Sequence, residues 1–83
     1  MLFEFDPKKD AANVAKHGVS LQRAGDLDVF IVVDDDRFDE PRHRAYGLID
    51  GVPHCLAFTL RGDSVRVISL RRASRKEVER YAR

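Results

Sequence analysis

Apolar and polar positions along the chain change period several times, and the changes divide it into elements. Phe3-Glu4-Phe5 alternates in the manner of a short edge strand. Asp6-Pro7 is a helix start, with Asp as N-cap and Pro at the first helical position. The predicted helix runs from Pro7 to about His17, with Ala11, Val14 and Ala15 at helical spacing as a narrow apolar face. Lys16 and His17 stand in its last turn, where the dipole favours cations, and Gly18 follows as a residue able to take positive φ. Ser20 caps a second short helix that places Leu21, Ala24 and Leu27 on one side.

From there the period shortens to that of strands. Val29–Val33 reads as a buried strand, closed by Asp34-Asp35-Asp36-Arg37 and a polar loop to about Pro41. Arg44–Ile49 is a second strand, and Asp50-Gly51 marks a type I′ hairpin turn. His54–Leu60 alternates, with His54, Leu56, Phe58 and Leu60 on one face and Cys55, Ala57 and Thr59 on the other. Arg61-Gly62-Asp63-Ser64 is a turn, and Val65–Leu70 is the last strand. Ser74 with Glu77 forms a capping box, so a terminal helix runs from there toward Arg83. The predicted class is α+β: an antiparallel sheet of about four strands, two N-terminal helices and a C-terminal helix. The short turns make the sheet a meander, with helices on one face and the other partly open.

Eighty-three residues make one domain over residues 1–83, with a thin core. Charged residues are 35% of the chain and hydrophobic ones 43%, a balance that folds. There is no run of about 20 apolar residues to span a membrane, and no basic-then-apolar leader. A lone Cys55 excludes an internal disulfide and suits a reducing cytoplasm. The net charge of +1 hides an asymmetry: residues 1–41 sum to −5 and residues 42–83 to +6. Eleven of the fifteen cations are arginine, whose planar fork matches phosphate. Such a half fits nucleic acid or an acidic partner; a plain solvated surface fits it equally well.

Candidate chemistry is narrow. His17, His43 and His54 show no paired ligand spacing, and His54 and Cys55 point to opposite faces of a strand, so no metal or other cofactor is expected. Asp34–Asp36 lacks calcium-loop spacing, and neither a phosphate loop nor a nucleophile elbow is present. Cleaving RNA without a metal uses the substrate's own 2′-OH. It needs a group to move protons near neutral pH and cations to neutralise the phosphate. The chain offers Lys16-His17 at a helix end, Arg61, Arg66, Arg71 and Arg72 around the last hairpin, and Tyr81 to stack on a base or donate a proton. Each has an ordinary structural use too: a charged helix end, a cross-strand ion pair, a core aromatic.

Two blocks resemble a known family. Phe3-Glu4-Phe5-Asp6-Pro7-Lys8-Lys9 with Asn13 and Lys16-His17-Gly18-Val19-Ser20 resembles the opening signature of the BrnT toxins. Thr59-Leu60-Arg61-Gly62, Arg66-Val67-Ile68-Ser69, Arg71-Arg72-Ala73, Glu77 and Tyr81 resembles its close. The chain departs from the family at Phe5, at Leu70 and in the loop Phe38–Arg44, where only Glu40 and Arg42 or Arg44 echo the usual pattern. The resemblance implies a RelE-like fold and a ribonuclease toxin of a type II toxin–antitoxin module that arrests growth in the cytoplasm. It implies neutralisation by a BrnA-like antitoxin with a ribbon-helix-helix part, operator DNA being met only through that antitoxin, and no membrane. Chemistry and motif position together make His17, Arg61, Arg66 and Arg71 the catalytic candidates, with Lys16, Arg72 and Tyr81 as RNA-binding ones. The alternative is a non-catalytic nucleic-acid-binding or protein-interaction module that uses the same basic half.

Overall fold

The computed structural model describes residues 2–81. Strands β1 (Leu2–Glu4), β2 (Asp28–Asp35), β3 (Arg42–Ile49), β4 (Val52–Arg61) and β5 (Ser64–Arg72) form one sheet in the order β1-β5-β4-β3-β2. Helix α1 (Pro7–His17), a 3₁₀ turn (Leu21–Asp26) and helix α2 (Arg75–Tyr81) complete the fold. No described helix is long and apolar enough to cross a membrane. The predicted terminal helix is present, and its last two positions, Ala82 and Arg83, lie outside the described residues.

Strands β2 to β5 are the predicted antiparallel meander. The sheet nevertheless has five strands, not four, and is not purely antiparallel. Strand β1 returns to the free edge of β5 and pairs parallel with it, Leu2 opposite Ser64 and Glu4 opposite Arg66. The capping and turn chemistry follows the sequence closely. Asp6 accepts from the Lys8 amide, Ser20 accepts from the Gln22 amide, and Gly18 takes φ 73° as its N–H closes on the Val14 carbonyl. Asp50 and Gly51 both take positive φ, as a type I′ turn requires. Both arms of the Ser74–Glu77 capping box form, at 2.8 and 3.2 Å.

Three expectations change. The second helix is a 3₁₀ turn. Its two buried residues, Leu21 and Ala24, are three apart and eclipse in 3₁₀ geometry, while Gly25 disfavours an α-helix. The run Val29–Val33 is not buried: β2 is an edge strand, and Val29 and Val32 are about half exposed. Five consecutive apolar residues cannot reveal by themselves how many neighbours a strand has. Gly47 admits β2 to the sheet, because a Cβ there would collide with the Asp28 carbonyl oxygen.

The third change concerns α1. Ala11, Val14 and Ala15 face solvent, and the buried residue is Asn13. Asn13 donates to the carbonyls of Leu70 and Val19 and accepts from the Leu70 amide, at 2.8, 2.9 and 3.2 Å. Helix α1 thus docks on the edge of β5 beyond β1, and one side-chain amide replaces a missing strand there. This satisfies backbone groups that are costly to bury unpaired.

The two faces of the sheet differ completely. Ala45, Leu56 and Leu70 stand opposite one another, as do Phe58 with Val67 and Leu60 with Val65. With Leu21, Ala24 and Ile49 these make the core, on the face that the 3₁₀ turn covers, except Leu60, which is exposed at the sheet's end. Val67 and Leu70 are both buried although three residues apart, an odd spacing for a strand. A bulge at Ile68 supplies the extra residue. The opposite face carries Arg44, Tyr46, Cys55, Ala57, Ser69 and Arg71 in matched rows.

Candidate functional site

The bulge that completes the core also arranges the charged face. Counting through it, Arg66, Ser69 and Arg71 pair with Thr59, Ala57 and Cys55, alternate residues of β4, so all three lie on one face. Arg61, opposite Ser64, belongs to the same face. Three of the four predicted catalytic residues therefore share a surface, with Arg61 and Arg66 at the Gly62-Asp63 turn and Arg71 at the far end of β5.

His17 is not among them. It ends α1 and lines a separate cavity of about 350 Å³ with Arg23, Asp50, His54 and Arg72. Lys16 sits beside it, next to Ile68 and Ser69. Burial, then Lys16 and Arg71, push the His17 imidazole below its ordinary pKa. So Lys16, His17 and Arg72 form a second basic patch around the α1 end of β5. Tyr81, expected to stack on a base, stacks instead on Tyr46, with ring centroids 4.6 Å apart and planes 23° apart.

The charged face has its own cavity, of about 190 Å³, lined by Arg37, Arg42, His43, Arg44, Ser69 and Arg71 among others. Its wall toward α2 is a polar clasp. Arg71 donates from both terminal nitrogens to Glu77, at 2.6 and 2.9 Å. The Tyr46 hydroxyl donates to Glu77 Oε2 at 2.5 Å and accepts from Arg44 Nη1 at 2.9 Å. The Arg71 fork holds the Glu77 carboxyl well below the usual carboxylate range, and the Ser74 amide and Tyr46 hydroxyl act in the same direction. Glu77 in turn raises Arg71, and burial followed by the Glu77 contact raises the Tyr46 phenol. Burial pushes the Cys55 thiol up as well, which keeps it a neutral, packed side chain.

The opposite wall comes from the end of β2 and the following loop. Asp35 is buried and receives Arg37 through two guanidinium nitrogens, at 2.8 and 2.6 Å, and this pairing lowers its pKa to about 2. Arg44 Nε lies 3.7 Å from the same carboxylate, and it is a buried polar atom without a hydrogen-bond partner. Arg42 lies over the Phe38 ring at 3.9 Å, which orders the loop. His43, one position from Arg44 and so on the other face of β3, is held by Asp34 at 2.9 Å and packs on Phe58. No cluster of three or more metal-ligating side chains occurs among the described residues. Guanidinium groups in a concave site match the geometry of carboxylate and phosphate, and here Arg37, Arg42, Arg44 and Arg71 each meet a carboxylate of the chain.

Residues 5–77 match the family described as the ribonuclease toxin BrnT of type II toxin–antitoxin systems. The chain belongs to that family. The crystal structure of the Brucella abortus ribonuclease toxin BrnT has the same fold, with a TM-score of 0.62 at 24% identity, over 90% of this chain and 100% of that one. A comparison with curated proteins gives no match.

For this BrnT-family chain, reading the sequence alone missed most of the charged cavity. Glu77 was visible as half of a capping box and as a position of the closing motif. Its second use, clasping Arg71 and Tyr46, joins residues 6 and 31 positions away and has no local signature. Arg37, Arg42 and Arg44 were legible as charge but not as neighbours of Arg71. The signal available was the alternation of Arg42, Arg44 and Tyr46 on one side of β3, against Ala45 on the other.

Proposed function

We propose that the protein cuts RNA on the charged face of its sheet, by metal-independent attack of the 2′-OH on the adjacent phosphate. The observation that carries this reading is the cavity in which Arg37, Arg42, Arg44 and Arg71 converge on an uncovered part of the sheet. A phosphorane-like transition state carries more negative charge than the ground-state diester, and fixed guanidinium donors stabilise that increment. Arg71 is held ready by Glu77 and so loses little freedom on binding. Arg66 and Arg61 continue along the same face, at a strand rise of about 3.3 Å per residue, and bind the RNA backbone beyond the cut. His17, Lys16 and Arg72 form a flanking basic patch that extends RNA contact around the edge of β5.

As a single toxin domain acting in the cytoplasm, the protein arrests growth until a BrnA-like antitoxin with a ribbon-helix-helix part covers the charged face. Operator DNA is reached only through that antitoxin. The test is incubation of the purified protein with a single-stranded RNA in excess EDTA, followed by end-group analysis. Fragments ending in 2′,3′-cyclic phosphate and 5′-hydroxyl are expected. RNA left intact in EDTA but cut on adding a divalent ion would overturn the mechanism. RNA that is bound and never cut would favour a non-catalytic binding module.

A further inference from the structure

We infer that the apolar groove on the core face, together with the outer edge of β2, anchors the antitoxin through a segment that is apolar on one side and basic at its margins. This rests on the toxin–antitoxin reading above and adds where that partner is held.

The 3₁₀ turn covers only part of the core face. Beside it an open groove of about 280 Å³ crosses the sheet, from Phe3 on β1 over Val65, Leu60 and Phe58 to Val32 and Val29 on β2. Register puts these side chains on one face: Phe3 stands opposite Val65, Val65 opposite Leu60, and Val32 opposite Ala45. Phe3, Val29, Val32 and Leu60 are each about half exposed, and Phe30, at a bulge of β2, adds a fifth exposed apolar side chain beside them. Contiguous apolar side chains left in water mark a surface that another chain covers. Helix α1 docks at Leu70 and α2 clasps Arg71 on the other face, so neither lines the groove.

Charge selects the occupant. No lysine or arginine lines the groove, and its ends carry acids. Asp28 precedes Val29. Asp34 lies two residues beyond Val32 on the same face, bonded to His43 but with its side chain 87% exposed. Asp63 is exposed in the turn between Leu60 and Val65, where Arg61 and Arg66 point to the opposite face. A second copy of this chain fits such a rim badly. Pairing two β2 strands antiparallel over their length sets Asp28 of one against Asp34–Asp36 of the other, and like charges directly opposite repel. The antitoxin of the reading above reaches DNA, and chains that bind DNA are rich in Lys and Arg. The outer edge of β2 adds unpaired backbone groups for it to bond. Val32 and Val33 stand on opposite faces, Val33 beside Arg44, so a segment leaving the groove rounds that edge directly onto the charged face. Anchoring and blocking thus use two faces joined round one edge.

The experiment titrates the purified toxin with its full-length antitoxin by calorimetry, for the parent, Val32→Lys, Leu60→Lys and the double variant Asp34→Asn, Asp63→Asn. Melting curves and RNA-cleavage rates are taken for each free protein. Val32 and Leu60 are about half exposed, so both lysine variants should fold and cut RNA at the parental rate. Each should weaken antitoxin binding about 10²-fold and leave cells arrested although antitoxin is present. The double variant should bind a few-fold more weakly, with a flatter salt dependence. Unchanged affinity in both folded lysine variants overturns the assignment, as does a parent with no affinity for the antitoxin. A free parent that sediments as a dimer, which Val32→Lys dissolves, gives the groove to a second copy and overturns it too. A parent that binds antitoxin through the groove and cuts no RNA fails the ribonuclease reading alone and leaves the anchor standing.

Discussion

The two faces of one sheet are built on different principles. On the core face Ala45, Leu56 and Leu70 stand in a row and are almost fully buried; removing water is what makes them cohere. One register position away, Tyr46, Cys55 and Arg71 form the matching row, held by a clasp in which a single carboxylate serves an arginine, a phenol and a backbone amide. The first face is apolar at its centre, and its polar residues, His43 and His54, stand toward the ends of β3 and β4. The second pairs Arg37, Arg42, Arg44 and Arg71 each with a carboxylate, and leaves Arg44 Nε buried without a hydrogen bond, 3.7 Å from Asp35. An unsatisfied donor beside a cavity is a cost that a small domain sustains where function uses it. Stability and chemistry are thus separated by the pleat of the strands, and the bulge at Ile68 keeps both in phase.

Substitutions that act on one face and not the other sharpen this contrast, and the largest effects belong to the centres of the two rows. Arg44→Ala should reduce the rate of RNA cleavage about 10²–10³-fold, or roughly 3–4 kcal/mol of transition-state stabilisation, with the fold intact by circular dichroism. Leu70→Ala, at a fully buried position, should cost about 3 kcal/mol in urea unfolding while the folded fraction cuts at the parental rate. If Leu70→Ala altered kcat in protein shown to be folded, the separation of the faces would fail.

Glu77 gives an intermediate effect. Glu77→Gln loses the charge that holds Arg71, and with solvent reaching Arg71 the expected loss is roughly 2 kcal/mol. Its folded-state pKa is depressed below the ordinary value of 4.5, so the unfolded chain binds more protons in acid. The stabilisation is complete above about pH 4.5 and is lost as pH falls toward the lower folded-state value. Melting curves of the parent should drop steeply below that pH. Those of Glu77→Gln should drop less, and equal slopes would remove Glu77 from the clasp. The smallest effect belongs to Arg61, exposed at the turn and without an ion-pair partner among the described residues. Arg61→Ala should leave the melting temperature unchanged and weaken RNA binding only a few-fold, with a shallower salt dependence.

The difference between the faces also explains what could be read from the sequence. Asp6-Pro7, Gly18, Asp50-Gly51 and the Ser74–Glu77 box act within a few residues, and each forms as its residue types dictate. Alternation along β4 separated its two faces for the same reason. Asn13 was visible only within a motif, because its role, bonding Leu70 across 57 positions, depends on where α1 lands. The predicted arginines fared similarly. Their types announced an anion site, and the alignment of Arg61, Arg66 and Arg71 depended on a bulge that no local pattern signals. His17 was chosen by its motif and its chemistry, and the cavity it lines depends on where the end of α1 lands.

The most direct test of the central claim is chemical-shift mapping of the protein against a short RNA whose 2′-hydroxyls are methylated, so that it binds and cannot be cut. The largest changes should fall on Arg37, Arg42, His43, Arg44, Ser69 and Arg71, with a weaker trail toward Arg66. Changes confined to His17, His54 and Arg72, with the charged face silent, would contradict the account and move the site to the other side of the sheet.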